Sequence, residues 1–211
     1  MAMRPPSAHL ILASGSPRRR DLLTEAGLKF EVVSPSIAEC DSPALSMREL
    51  TTLNATRKAH AVARMRPDAV VLGADTLVSL NGRVIGKPRD LDEAAKMLRR
   101  LSGREHQVCT SVHICSLKRR LSFSIISHVR FHSLGEKRIR DYIARIGPLD
   151  KAGGYAAQGD GAEIIRGIRG SYTNVIGLPM DETLLALRDY FGIVRQQISS
   201  LLPSGSSKKN A

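Results

Sequence analysis

Residues 9–28 read HLILASGSPRRRDLLTEAGL, a short apolar run that leads through Ser-Pro into a helical pattern. HLILAS predicts a buried strand, and Leu22, Leu23 and Ala26 fall on one face of the helix that follows. Ser16 suits the position before a helix and Pro17 suits its first residue. A buried strand that runs straight into a helix is typical of α/β proteins.

Strand and helix patterns alternate along the rest of the chain. Residues 46–65 predict a helix ended by Pro67, with apolar residues near helical spacing at Leu50, Leu53, Ala61 and Val62. Residues 69–80 form an apolar run long enough for a central strand, and Asn81-Gly82 predicts a hairpin after it. The other predicted elements are strand 30–35, helix 91–101, paired strands 106–117 and 121–131, helix 135–147, a Gly-rich run, and a closing helix from Pro179.

These elements predict the fold class and its boundaries. Because a hairpin interrupts the alternation, we expect a mixed α/β fold, a twisted mixed sheet flanked by helices, and not an all-parallel sheet. We predict a single domain over residues 1–195. The segment 196–211 ends in PSGSSKKNA and is predicted to be a disordered basic tail.

Composition limits the classes of ligand and compartment. The chain has 211 residues, 42% hydrophobic content and a formal net charge of +12, which favours a polyanionic ligand. Aromatic residues make up only 4% and Trp is absent, so we expect no stable nucleic-acid binding through stacking. Three cysteines without a C-x-x-C pattern indicate a reducing compartment. With no membrane-length apolar stretch or secretory signal, the sequence predicts a cytoplasmic protein.

Three arginines, Arg18, Arg19 and Arg20, occupy the first turn of the first predicted helix. A helix N-terminus is already electropositive, so cations there cost about 0.3–1 kcal/mol each unless an anion compensates them. A chain of phosphates would accept from the backbone N–H groups and the guanidinium groups together. The alternative is an exposed helix start with its arginines in solvent.

Asp75 interrupts the apolar strand pattern within Gly-Ala-Asp-Thr, residues 73–76. A buried carboxylate needs a partner, and a divalent metal ion supplies one. Glu39, after the second strand, is a second candidate oxygen ligand, since Mg²⁺ takes one or two carboxylates together with substrate phosphates. The alternatives are a structural Asp at a turn and an ordinary loop glutamate.

Further polar residues stand where a nucleotide would need them. Lys58, Lys87 and Lys151 are candidate phosphate ligands, and Gln158 offers a donor and an acceptor to a base edge. Each lysine alone is also compatible with a surface charge. The sequence contains no G-x-x-x-x-G-K-[ST], G-x-G-x-x-G, H-E-x-x-H or G-x-S-x-G motif, which argues against the corresponding kinase-type, dinucleotide, zinc-protease and hydrolase sites.

Taken together, five ordered motifs resemble the Maf-like nucleotide pyrophosphatases. They are SGSPRR from Ser14, Lys-Ala at Lys58, GADT at Gly73, GKP at Gly86 and DKAGGYAAQG at Asp150. The resemblance covers residues 9 to 188. It implies two lobes with a cleft between them, as in the ITPase-like fold, a requirement for Mg²⁺ or Mn²⁺, and a homodimer.

The resemblance also implies roles for individual residues. Asp75 matches the proton acceptor, while Ser14 belongs to a substrate-binding motif and Arg18, Thr76 and Gln158 match positions linked to substrate choice. The Gln-Gly ending is similar to the branch that acts on dTTP and UTP, in contrast to the branch for 7-methyl-GTP. Two departures stand out: Asn54 replaces the usual aliphatic residue, and Ala157 stands where a larger aliphatic residue often precedes Gln158. We expect both to affect packing more than chemistry.

The resulting hypothesis is a pyrophosphatase that cuts a nucleotide between its α- and β-phosphates. Arg18, Arg19, Lys58 and Lys87 would hold the phosphates, and Asp75 with Glu39 would bind the metal. One alternative is a pyrophosphatase that edits purine nucleotides such as ITP. Another is a basic nucleic-acid-binding or division-control module without catalysis, which the net charge favours.

Overall fold

The computed structural model describes residues 9–194, and the predicted tail lies outside them. It contains seven strands and six α-helices over that range. The strands are β1 (Leu10–Leu12), β2 (Glu31–Val32), β3 (Val70–Leu80), β4 (Arg83–Ile85), β5 (Glu105–Cys115), β6 (Arg120–Phe131) and β7 (Ile165–Arg169). The helices are α1 (Pro17–Glu25), α2 (Met47–Ala63), α3 (Leu91–Leu101), α4 (Glu136–Ile146), α5 (Tyr172–Ile176) and α6 (Met180–Leu185), the last followed by a π-helical turn at Ala186–Tyr190.

All seven strands join one mixed sheet, in the order β2-β1-β3-β5-β6-β7, with β4 also paired to β3. β1 is parallel to both its neighbours, whereas β3 to β7 pair antiparallel. The predicted α/β fold with a mixed sheet flanked by helices is therefore confirmed. Within residues 9–194 there is no helix long and apolar enough to cross a membrane.

The long strand β3 organises the site because its two ends have different neighbours. β1 runs beside it only as far as the Leu12–Leu72 pair, and β4 returns beside it from Val78 onward. Between these points, one edge of β3 is open to other elements. The predicted hairpin is confirmed: Asn81 and Gly82 both have positive φ, as a two-residue hairpin turn requires.

Helix α2 packs directly on β3, and Gly73 permits the close approach. A Cβ atom at Gly73 would lie 2.4 Å from the carbonyl oxygen of Ala55 and 2.8 Å from the backbone nitrogen of Ala59. Any side chain there would push the helix away from the sheet. This contact brings the polar residues of α2 beside the middle of β3.

Three details differ from the sequence-based expectations. Leu53 is 39% exposed, because the buried face of α2 runs through Leu50, Thr51, Asn54, Ala55, Lys58, Ala59 and Val62. Ser16 does precede α1, but its side chain makes no capping hydrogen bond. The predicted second strand shortens to the two residues of β2 at the sheet edge.

Candidate active site

A cleft of about 970 Å³ opens where β1 ends, beside the uncovered part of β3. Its walls are the start of α1, the loop before α2, α2 itself, the β3–β4 hairpin and the segment after α4. The predicted site residues that line it are Ser14, Arg18, Arg19, Glu39, Lys58, Asp75, Thr76, Lys87 and Lys151. Gln158 is not among the lining residues, which on this segment end at Ala157.

Adjacent residues of β3 serve opposite faces of the sheet, since side chains alternate along a strand. Asp75 points to the α2 face, where Lys58 and Asn54 contact it. Thr76 points to the other face, where Arg19 and Thr110 contact it. Asp75 and Thr76, which are consecutive residues, thus link the polar side chains on one face of the sheet to those on the other face.

Lys58 joins two carboxylates in the cleft. Its Nζ lies 2.7 Å from Oδ1 of Asp75 and 2.6 Å from Oε1 of Glu39. Asp75 and Lys58 are both buried, whereas Glu39 is partly exposed. Desolvation is the largest effect on the pKa of Glu39 and raises it, but the hydrogen bond and charge of Lys58 outweigh it, so the pKa falls below its usual value.

Asn54 fixes the loop that carries Glu39. Its Oδ1 accepts from the backbone N–H of Cys40 at 2.8 Å, and its Nδ2 donates to the Cys40 carbonyl at 3.0 Å. The same Nδ2 lies 3.5 Å from Oδ2 of Asp75. The sequence predicted that Asn54 would affect packing more than chemistry. In the structure Asn54 is almost fully buried, and it also forms hydrogen bonds to both segments that carry the carboxylates.

Arg19 is buried and its guanidinium group connects three segments. Nε donates to the Gly177 carbonyl at 2.8 Å, and the two terminal nitrogens donate to Ser14 Oγ at 3.0 Å and Thr76 Oγ1 at 2.9 Å. Burial lowers the pKa of Arg19, although the charge of Asp75 opposes this. The group still remains protonated, as arginines do in proteins.

Arg18 and Arg20 have different environments from Arg19. Arg18 Nη1 donates to Oδ2 of Asp150 at 2.8 Å, and Lys151 contacts the other oxygen of that carboxylate. Arg20 is exposed and pairs with its neighbour Asp21 at 3.2 Å. The arginine triplet therefore divides into one cleft residue paired with an acid, one buried connector and one solvent-facing side chain.

Two buried aromatic residues hold the segment after α4 against the sheet. Tyr155 packs against both His106 and Phe131, with its hydroxyl 2.9 Å from Nε2 of His106. The hydroxyl of Tyr142 accepts from the Ala156 N–H at 3.1 Å and donates to the Gly161 carbonyl at 3.1 Å. Burial lowers the pKa of His106 to about 4, so its ring is neutral at physiological pH.

Three polar residues of the cleft were not predicted as site residues from the sequence. They are Asn54, for which only a packing role was predicted, Asp150 of the Gly-rich motif and Arg83 at the hairpin; all three line the cleft. For Asn54 the signal was available, since an amide on the face of a helix that also carries Lys58 needs a buried partner. Arg83 and Lys87 are exposed and make no salt bridge with any residue between 9 and 194.

The fold and the cleft define a mixed α/β protein with a basic pocket beside its central strand. Comparison with known families identifies it further: the chain belongs to the family described as Maf-like protein, which matches residues 9–190.

Three relatives named "dTTP/UTP pyrophosphatase" extend over most of the chain. The one from Pelotomaculum thermopropionicum is 48% identical over 174 residues, which are 81% of this chain and 91% of that protein. The one from Akkermansia muciniphila is 46% identical and covers 84% of this chain and 94% of that protein. The one from Escherichia coli strain K12 is 45% identical and covers 86% and 92%.

Proposed function

We propose that the protein hydrolyses dTTP and UTP between the α- and β-phosphates, releasing the nucleoside monophosphate and pyrophosphate. The observation that carries the proposal is the group formed by Asp75, Lys58 and Glu39 in a cleft whose entrance is rich in cations. The names of relatives 45–48% identical to this chain support the same reaction.

In the proposed reaction, the exposed cations of the cleft bind the phosphates. Lys87 and Arg83 are available for this without breaking an ion pair to a residue within 9–194. Arg18 and Lys151 share Asp150, so an incoming phosphate would compete with that carboxylate for them. Such an array lowers the barrier by stabilising charge as the bond to the leaving pyrophosphate breaks.

Arg19 has a different part in the proposal from the one that its sequence position indicated. Three of its donors already bind Ser14, Thr76 and Gly177, which fixes the end of β1 against β3 and the turn after α5. We assign it the positioning of Ser14 and Thr76 beside the substrate. We assign direct phosphate binding to Arg18, Arg83, Lys87 and Lys151.

We propose that Asp75 accepts the proton of the attacking water and that Asp75 and Glu39 hold a divalent cation, Mg²⁺ or Mn²⁺. The two carboxylates already converge on one cationic group, the ammonium of Lys58, and their oxygens are the hard ligands that Mg²⁺ takes. When bound, the cation would neutralise charge on the phosphates. In its absence, Lys58 holds the two carboxylates close together.

The proposed preference for pyrimidines depends on the segment from Tyr155 to Gln158. Tyr155, Ala156 and Ala157 line the cleft, and the next residue, half-buried Gln158, is the proposed contact to the base. We further propose a homodimer, and a cytoplasmic location in keeping with the three free cysteines Cys40, Cys109 and Cys115.

A pyrophosphate-release assay tests the proposal. Purified protein is offered dTTP, UTP, ITP and 7-methyl-GTP with Mg²⁺, with Mn²⁺ and with a chelator. We expect release from dTTP and UTP that needs the cation, and none from Asp75→Asn, which stays folded. The matched control Asp141→Asn, on the exposed face of α4, should keep full activity.

Other outcomes would contradict specific parts of the proposal. Faster release from ITP or 7-methyl-GTP would contradict the pyrimidine preference. Near wild-type activity of Asp75→Asn would contradict its role. DNA binding with a steep salt dependence and no pyrophosphate release from any nucleotide would contradict the enzymatic function as a whole.

A further inference from the structure

A second cluster of potential metal-ligand side chains lies at the C-terminal end of β5. The cleft residue Val108 is nearer the other end of this strand. It consists of His60, His113 and Cys115. Each residue offers one potential ligand atom, and these three atoms all lie within 4.8 Å of one another. His113 and Cys115 are two residues apart on β5, so both point to the face that α2 covers. His60 comes from α2 itself.

We propose that His60, His113 and Cys115 form a zinc site that fastens α2 to β5. Two imidazole nitrogens and one thiolate, with a water molecule in the fourth position, are a ligand set that Zn²⁺ accepts in tetrahedral geometry. The site is separate from the carboxylate group of the cleft, and the proposal does not depend on the proposed enzymatic function.

The hydrogen bonds of His113 show which of its nitrogens is available. Nδ1 lies 2.7 Å from the hydroxyl oxygen of Ser122 on β6. Nε2 is buried and has no hydrogen-bond partner among the described residues. A buried ring nitrogen without a partner is rare, and a metal ligand whose other nitrogen is fixed by a hydroxyl is the usual arrangement in histidine metal sites.

The surroundings of the cluster favour zinc over a hard cation. Arg64 and Arg66 line a surface depression of about 270 Å³ that His60 also lines, and their charges repel an ion held by electrostatics alone. Nitrogen and thiolate ligands instead bind borderline and soft metals through directed bonds. Since His60 is only half-buried, the depression gives the ion a path inward and gives the fourth ligand space.

Cobalt titration tests the proposal, since Co²⁺ substitutes for Zn²⁺ and reports on its ligands by absorption. The full chain without a histidine tag is stripped of metal and titrated with Co²⁺, then with Zn²⁺. We expect one Co²⁺ per chain with a sulfur-to-cobalt charge-transfer band, displaced by Zn²⁺. Zn²⁺ should also raise the melting temperature, because it binds only the folded state.

Variants identify the ligands. Cys115→Ser should lose the charge-transfer band, and His60→Gln, at a half-buried position that tolerates the change, should weaken Co²⁺ binding at least about tenfold and abolish the zinc-dependent rise in melting temperature. Ser122→Ala should weaken binding about 10- to 100-fold by freeing the His113 ring. The exposed His132→Gln and the cleft variant Cys40→Ser are controls that should bind as the wild type does.

Three results would overturn the proposal. The first is a wild-type protein that binds Co²⁺ without a sulfur band. The second is a band that survives in both Cys115→Ser and His60→Gln. The third is a band that disappears in Cys40→Ser, which would place the thiolate ligand in the cleft instead.

Discussion

Replacing Lys58 by Met removes the one positive charge that contacts both carboxylates of the cleft. A charge pair at 2.7 Å, the Lys58–Asp75 distance, has a Coulomb energy of about 6 kcal/mol at an effective dielectric constant of about 20. The desolvation of both ions offsets part of it. Breaking such a pair by removing one partner costs about 3–5 kcal/mol, because the other charge stays buried.

The carboxylate of Asp75 would stay buried without its charged partner. We therefore expect Lys58→Met to lose about 3–5 kcal/mol of unfolding free energy at pH 7.

Urea unfolding followed by circular dichroism measures the effect. The double variant Lys58→Met with Asp75→Asn has no buried charge at this position and should be more stable than Lys58→Met alone. The exposed Lys137→Met is the matched control and should change stability by less than about 0.5 kcal/mol. Mg²⁺ should stabilise Lys58→Met more than the wild type, because the cation would replace the missing ammonium group.

Two results would refute this reasoning. A loss below about 1 kcal/mol for Lys58→Met would mean that Asp75 does not depend on the ammonium group. An Asp75→Asn change that fails to recover stability in the Lys58→Met background would mean that packing, and not charge, causes the loss.

Three further predictions concern residues that position the cleft. Asn54→Leu leaves the backbone N–H and carbonyl of Cys40 without their partner, so it should lower the unfolding free energy by about 1–3 kcal/mol in a urea titration; an unchanged midpoint would contradict the role given to Asn54. Arg19→Lys keeps the charge but not the three-way geometry, so pyrophosphate release should fall by more than tenfold, and wild-type turnover would show that the connections to Ser14, Thr76 and Gly177 are dispensable. His106 has a folded-state pKa of about 4 against about 6.5 when unfolded, so the unfolded state binds more protons between these values and stability should fall as the pH drops from 6.5 to 4, by up to about 3 kcal/mol from this group. His106→Gln should flatten that pH dependence, which thermal melts across the range measure.

The sequence by itself determined most of the fold. Apolar periodicity gave the strand and helix before and after the Ser-Pro turn, the long central strand and its Asn-Gly hairpin, all of which the structure contains. These features depend on neighbours within a few residues, so local patterns are sufficient to predict them. The ordered motifs also contain eight of the predicted residues that line the cleft, and Glu39, outside the motifs, is the ninth.

Local sequence patterns could not predict which face of α2 is buried. Apolar spacing pointed to Leu53, but the buried face carries Thr51, Asn54 and Lys58. A polar residue is stable there only because β3 and β5 supply partners for it, and those partners are set by the packing of the helix on Gly73.

The division of the arginine triplet was decided by tertiary structure for the same reason. Arg19 forms hydrogen bonds with Thr76, 57 residues away along the chain, and with Gly177, 158 residues away. Arg18 forms one with Asp150, 132 residues away. In sequence the three arginines are equivalent members of one helical turn. Which of them is buried depends on where the ends of β1, β3 and α5 meet, and that meeting point exists only in the folded chain.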